Sequence, residues 1–518
     1  MLPTSNECTA LDELDQQVFA STVPEDHYLR RVLNVVNFRR CREELVSCYS
    51  PSQGRPAIDP VLLLKLGFLQ YHYNLSDRQV VDQACYNMAF RFFLGLSLRW
   101  ELPHHTLLTV FRERLGPEKH QKLFDDMVAQ AREHGLVKDR VRLKDATHLI
   151  ANIAIPSAVR LVAETRQRLL DAVRPYAPEQ VAQEEEQAHV IHTTTADLSG
   201  SERLLQRVTH LRSIVTWVDQ LVAAARPAKV PKSDRQVHEA LNLAHKILAD
   251  REEPKAKDRL VSLQDQDARW GDHHGSYAGY MLDVVEDADS GIVTALNVLP
   301  ANADEAEDAS TLIQQEEQAQ GNDVQALSID AIGFRGERLR EWTDPQGLNL
   351  EVIVPPRAEP APTGCFDVDQ FTPSATGETM TCPAGQTSQR RVRNRHDTGW
   401  MFRWARKVCA ACPLLGQCME KLRQAKGRQV STNDYAADYA AARAKARTPA
   451  HQEIRRQNWR VERKLGEMVR WHRARRARYR GRERVLIQAL LTGLVVNIKR
   501  VVHLLTAPKV RAELAAGR

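Results

Sequence analysis

Residues 322–336 read NDVQALSIDAIGFRG. An apolar, strand-like run ends at Asp330, with a glycine three residues on. A carboxylate buried at a strand end costs free energy unless it is paired, hydrogen-bonded or bound to a cation. Taken alone, Asp330 reads as a turn residue capping a strand. The elements on either side point to another role.

Upstream, RVRLKDATHLIAN (140–152) alternates Val141, Leu143 and Asp145 with Arg140, Arg142 and Lys144. Period two predicts a strand with Asp145 at its end on the inward face and the basic residues outward. YAGYMLDVVED (277–287) and IVTALNVLP (292–300) flank ADSG, the composition of a hairpin turn. DEAEDASTLIQQEEQAQ (304–320) predicts a helix, and VQALSID (324–330) the fourth strand, ending at Asp330. RGERLREW (335–342) predicts a short helix and LNLEVIVP (348–355) a strand, and the proline-rich PPRAEPAPTG (355–364) reads as a linker. With two insertions set aside, this order of strands and helices is that of an RNase H-like α/β fold: a mixed sheet with helices packed on its faces.

A third acid lies in NWRVERKLGEMVRW (458–471). Glu462 shares a helical stripe with Trp459, Leu465 and Val469, which predicts a carboxylate facing the sheet. Three converging carboxylates repel and raise one another's pKa. Hard divalent cations resolve that conflict, since Mg²⁺ is held by a few carboxylates with water and substrate phosphate. A pair of such ions about 3.5–4 Å apart supports in-line displacement at phosphorus.

With these residues in view, the sequence resembles bacterial insertion-sequence transposases of the DDE type. The resemblance is carried by RLKDATHLIAN around Asp145, SIDAIGFRG around Asp330, RVERKLGEM around Glu462, and RARRARYRG with LIQALLTGLVVNIKRVV behind it. DQDARWGDHHGSYAGYMLDVVEDADSG (265–291) and the N-terminal GRPAIDPVLLLKLGFLQYHYNLSDRQVVD (54–82) fit as well. It implies an RNase H-like core in which Asp145, Asp330 and Glu462 bind Mg²⁺ or Mn²⁺. The implied reaction is hydrolysis at transposon ends followed by attack of the freed 3′-OH on target DNA. A homodimer on double-stranded DNA is expected, because two ends are worked at once. Related transposases carry an Arg four residues before the Glu and a Lys seven after it, where this chain has Asn458 and Val469. Glu467, with Arg463 four residues before it, is the reserve third acid. Phe334 stands where relatives have a tyrosine, and Gly333 and Gly336 are expected to let DNA backbone approach. A related metal nuclease, and a decayed or repurposed DNA-binding protein, are the alternatives.

Four segments follow. Residues 1–135 predict a helical DNA-binding domain. Ser76 serves as N-cap with Gln79 completing a capping box, a third helix ends at Gly116, and Arg78, Arg91, Arg112 and Arg114 are expected to be exposed. Residues 136–355 hold the first part of the core, interrupted at about 156–258 by a helical insertion read as a hairpin or small bundle. Residues 356–434 form a cysteine-rich insertion, and 435–518 return to core helices with a basic segment. Cys382, Cys409, Cys412 and Cys418, with Cys365 to spare, include a C-x2-C pair, which in a reducing compartment favours structural zinc. Free thiols and an iron–sulfur site stay open.

At 518 residues the chain is too long for one core. Its composition, 43% hydrophobic and 27% charged, is that of a soluble globular protein. The N-terminus is too polar for a secretory signal, and no apolar run is expected to span a membrane, so a cytoplasmic, nucleoid-associated protein with reduced thiols is expected. Net charge is only +6, but residues 455–484 hold thirteen Lys/Arg against three Glu, interleaved with Trp459, Trp471 and Tyr479. Such a stripe reads as a polyanion contact. Arg473, Arg475, Arg476, Arg478 and Arg480 are the candidates for DNA phosphates.

Overall fold

The computed structural model describes residues 11–506 apart from 51–52, 54–56, 225–230, 254–255, 273–274, 358–364 and 420–426. The start of the N-terminal stretch and most of the proline-rich linker lie outside the described residues. The chain divides into two compact units. One comprises Met1–Lys138, Ala146–Glu305 and Val461–Arg518; the other comprises Asp139–Asp145 and Ala306–Arg460.

The first unit opens with helices. Ser76 caps the Asp77–Tyr86 helix, and Gln79 returns a bond to the Ser76 backbone, so the predicted capping box is present. Asn87 ends that helix and caps the next, Met88–Leu94. Thr106–Glu133 breaks at Gly116, whose φ of 63° no continuous helix allows, and Pro117 restarts it. Two of the four arginines expected at the surface are internal. Arg91 donates to the Ser97 and Trp100 carbonyls, tying down the turn after its helix. Arg112 pairs with Asp77. Burying a guanidinium is tolerated here because each has oxygen acceptors in reach.

The same unit holds an antiparallel β-ribbon: β2 (Arg269–Asp272), β3 (Ser276–Asp287) and β4 (Val293–Pro300), both neighbours pairing with β3. The hairpin falls at 288–291, as the ADSG composition predicts. The Arg482–Thr506 helix is apolar nearly all round and packs against β4 and the N-terminal helices. Asn497 within it brackets Val293, accepting from its N–H at 2.8 Å and donating to its carbonyl at 2.7 Å. By length and composition this helix could cross a membrane, which corrects the expectation that no such run exists; here it is mostly buried in the protein core.

The insertion between β1 (Arg142–Ile150) and β2 is four helices: Ala158–Val173, Pro178–Thr194, Gly200–Ala224 and Pro231–Glu252. They share an apolar core of their own, with Leu169, Leu211, Ile214, Ala244 and Ile247 at its centre. This is the small bundle that the sequence predicts.

The second unit holds the parallel strands. Arg142 and Leu143 of β1 pair with Leu327 and Ser328 of β5 (Ala326–Ser328), which pairs in turn with β6 (Glu351–Ile353). The predicted alternation on β1 fails. Arg142 and Lys144 are buried alongside Leu143, because the strand is covered on both faces and both parities point into protein. Arg142 is satisfied by Glu316 of the Glu305–Gln320 helix, with guanidinium nitrogens at 2.6–3.0 Å from the carboxylate and both side chains 0% exposed. Gly333 and Gly336 answer to packing rather than to DNA approach. A Cβ on Gly336 would stand 2.1 Å from the Tyr435 Cβ, and one on Gly333 would stand 2.6 Å from Ile329. The cysteine-rich segment forms a two-stranded ribbon and a three-stranded sheet, Val392–Arg393, Trp400–Arg403 and Gln429–Ser431, over Phe371, Phe402, Trp404 and Val430.

Candidate active site

Asp145 does not end β1, which continues to Ile150; it lies mid-strand and half-buried. Asp330 lies two residues beyond β5 and is exposed rather than buried. It is also a turn residue: its Oδ1 accepts the Ile332 N–H at 2.9 Å and caps the short turn Ala331–Gly333. The cap and the strand-end position are compatible, since a carboxylate has more acceptor sites than the cap uses.

The strand register relates the two acids. Arg142 faces Leu327 and Leu143 faces Ser328 on parallel neighbours. Each acid follows the last of these pairs by two residues, Asp145 after Leu143 and Asp330 after Ser328. Paired strands run about 4.8 Å apart. Phe334, just past the turn, is buried against Tyr439, with ring centroids 5.0 Å apart.

Glu462 belongs to the other unit, in the first turn of the Trp459–His472 helix. The predicted stripe is displaced by about one residue. Val461, Lys464, Leu465, Met468 and His472 face inward, while Glu462 and Trp459 are exposed. Leu465 belongs to both stripes, and this is why the sequence pattern pointed to Glu462. The segment leading into this helix is tied to β5: Ser328 Oγ donates to Asn458 Oδ1 at 2.7 Å. Ser328 stands two residues before Asp330 and Asn458 four before Glu462. Sequence reading missed this bond, which joins residues 130 positions apart.

Glu467, the reserve acid, is half-buried between Lys464 (3.3 Å) and Lys499 (2.5 Å). Those lysines hold its carboxyl below the usual range against the opposing effect of burial.

The basic segment is only partly available to DNA. Arg475 donates to Thr147 Oγ1 and the His148 carbonyl, and burial lowers its pKa. Arg478 donates to the Leu75 carbonyl and Asn74 Oδ1 and stacks over Tyr71. Both are engaged inside the fold, which corrects their reading as free phosphate contacts. The segment leaves the helix after His472 and runs beside the end of β1, where Ile150 donates to the Arg475 carbonyl and accepts from Ala477. Arg473, Arg476 and Arg480 are exposed.

Cys382, Cys409, Cys412 and Cys418 line one cavity of about 30 Å³, and Cys365 is not among its lining residues. The Cys409 Sγ accepts the Arg428 N–H at 3.3 Å. Burial raises the Cys418 thiol pKa, opposed by Arg428 and reinforced by Cys409, Cys382 and Cys412. Every described cysteine is a free thiol. Among the described residues, no group of three or more His, Cys, Asp or Glu side chains is arranged to hold a metal ion.

Residues 17–114 match the model of a transposase domain (DUF772), and residues 381–502 match that of a transposase DDE domain. The uncharacterized protein ORF8 in the nfe locus of Rhizobium meliloti is 30% identical over 148 residues, which are 27% of this chain and 70% of that protein. No solved structure matches. With a transposase domain at its N-terminal end and a DDE domain spanning the helix that bears Glu462, the chain belongs to the insertion-sequence DDE transposases, metal-dependent enzymes that move DNA.

Proposed function

We propose that Asp145, Asp330 and Glu462 are the metal-binding carboxylates of an RNase H-like core. In this reading they carry cleavage at the transposon ends and transfer of the freed 3′-OH into target DNA. The observation that supports this reading is that Asp145 and Asp330 each lie two residues beyond the paired Leu143 and Ser328 of neighbouring parallel strands. Carboxylates brought together there would repel one another, a conflict that a bound cation relieves, and the exposure of Asp330 and Glu462 leaves them open to solvent and substrate. Mg²⁺ or Mn²⁺ held there would neutralise the carboxylates and supply an activated water or 3′-hydroxyl. Double-stranded DNA is the partner, bound by a homodimer in the cytoplasm beside the nucleoid. Arg473, Arg476 and Arg480 contact its phosphates, in binding that weakens steeply with salt.

Cleavage of a duplex carrying the gene's own flanking DNA tests this. A cut at one defined end in Mg²⁺ or Mn²⁺, abolished by chelator, is expected. Cutting without a defined end would move the assignment to a nuclease. Tight binding with no cutting in either metal would move it to a DNA-binding protein.

In the cysteine-rich segment the same reading assigns one structural Zn²⁺ to Cys382, Cys409, Cys412 and Cys418. Its support is that these four cysteines line one cavity. Elemental analysis of the purified chain should give one zinc. Cys409→Ser with Cys412→Ser should lose it. A coloured, iron-containing protein, or zinc retained by the double variant, would overturn the assignment.

A further inference from the structure

The Trp459–His472 helix buries charge on its inward stripe, where apolar residues alone would suffice. Lys464 is 6% exposed and His472 1%. Lys464 and Lys499 both reach Glu467, at 3.3 and 2.5 Å. Lys499, from the Arg482–Thr506 helix, also lies 3.2 Å from His472 Nε2, and His472 Nδ1 lies 3.0 Å from the Tyr71 carbonyl. Burial lowers the His472 pKa, which favours the neutral ring. The bonding then fixes its tautomer: Nδ1–H donates to Tyr71, and Nε2 accepts from Lys499. On the sheet side, Glu286 of β3 is 1% exposed. Its charge is favoured by Lys464, Arg463 and Arg500, while burial pushes its pKa up to about 7.

A stripe of Leu and Val lets a helix turn slightly about its axis at small cost. A chain of buried charges and directional hydrogen bonds is satisfied at one rotation only, and a broken member leaves an uncompensated charge. Glu467 follows Glu462 by five residues, about 140° round the helix axis. The charged ladder and Glu462 therefore occupy different faces of one rigid rod.

We propose that Lys499 and Glu467 are positioning residues for Glu462, fixing the rotation of its helix and hence the direction in which its carboxylate is presented. The proposal rests on the reading of Glu462 as the third metal-binding acid. It assigns Glu467 an anchoring role in place of the ligand role held in reserve for it.

The test is Lys499→Met in the full-length chain. End cleavage is titrated with Mg²⁺, alongside DNA affinity and thermal melting. The half-saturating Mg²⁺ concentration should rise about tenfold or more, as for other loosened ligand-supporting groups, with DNA affinity unchanged. Adding Glu467→Gln removes the stranded carboxylate, so the melting temperature should recover while the midpoint stays raised because the anchor is still absent, and Lys499→Arg should leave the midpoint near wild type. Glu467→Gln alone gives the same reading should Lys499→Met fail to fold. A lower rate or melting temperature with an unmoved Mg²⁺ midpoint would show a merely structural role and overturn the proposal. Glu462→Gln separates the two ideas: cleavage that survives it sinks the reading of Glu462 itself, whatever Lys499 does.

Discussion

Asp330→Asn should abolish end cleavage while leaving DNA binding and folding intact. The substitution replaces one oxygen with an amide and adds no bulk. Asparagine is as good a cap as aspartate, and its Oδ1 can keep the bond from the Ile332 N–H. Asp330 is exposed, so no buried partner is orphaned. What is lost is the negative charge and one hard oxygen ligand. Loss of a group that merely supports a metal ligand costs about 10–100-fold, so loss of a ligand should exceed a hundredfold. Asp145→Asn should also abolish cleavage, because the proposed site takes a hard oxygen ligand from each acid. Rates are compared on the terminal duplex in Mg²⁺, with affinity measured separately by gel shift. Near-normal cleavage by Asp330→Asn would remove it from the chemistry and leave only the turn cap.

The largest effect on stability is expected at a residue with no role in the chemistry. Glu316→Ala removes the carboxylate that the Arg142 guanidinium meets at 2.6 Å with both side chains 0% exposed. Breaking a buried pair from one side costs about 3–5 kcal/mol. Removing both charges together, as Arg142→Met with Glu316→Leu, should be close to neutral, because the desolvation cost disappears with the pair. Denaturant unfolding of the three proteins distinguishes these outcomes. If the double variant is as unstable as the single one, the pair is not the source of the loss.

The comparison of sequence with structure divides along a physical line. Signals that live within a few residues were legible. The Ser76 capping box, the 288–291 hairpin, the helix at 305–320 and the strand before Asp330 each form as their local patterns require. Cys382, Cys409, Cys412 and Cys418, singled out by their spacing, line one cavity. What failed depended on neighbours distant in sequence. The alternation on β1 could not reveal that Arg142 meets a glutamate 174 residues away. Arg475 and Arg478 sit in a basic run that looks like a DNA contact, but their acceptors are carbonyls more than three hundred positions upstream. The stripe assigned to Glu462 was out by about a hundred degrees, because buried lysine and histidine were not counted as inward-facing.

During synthesis β1 emerges long before the strand it pairs with. Leu143 must find Ser328 roughly 185 residues later, and at about 5–20 residues per second that is a wait of ten to forty seconds. Meanwhile the four insertion helices can close on their own core. The waiting strand has an unpaired edge and carries Leu143, Ala146 and Leu149, a template on which another nascent chain could add. Arg142 and Lys144 work against this. Until Glu316 has been made, they keep the strand charged on the face that will later be buried, which makes stacking with a second copy costly. Charges on a strand oppose addition of a second copy, and Arg142 and Lys144 supply two of them before Glu316 exists.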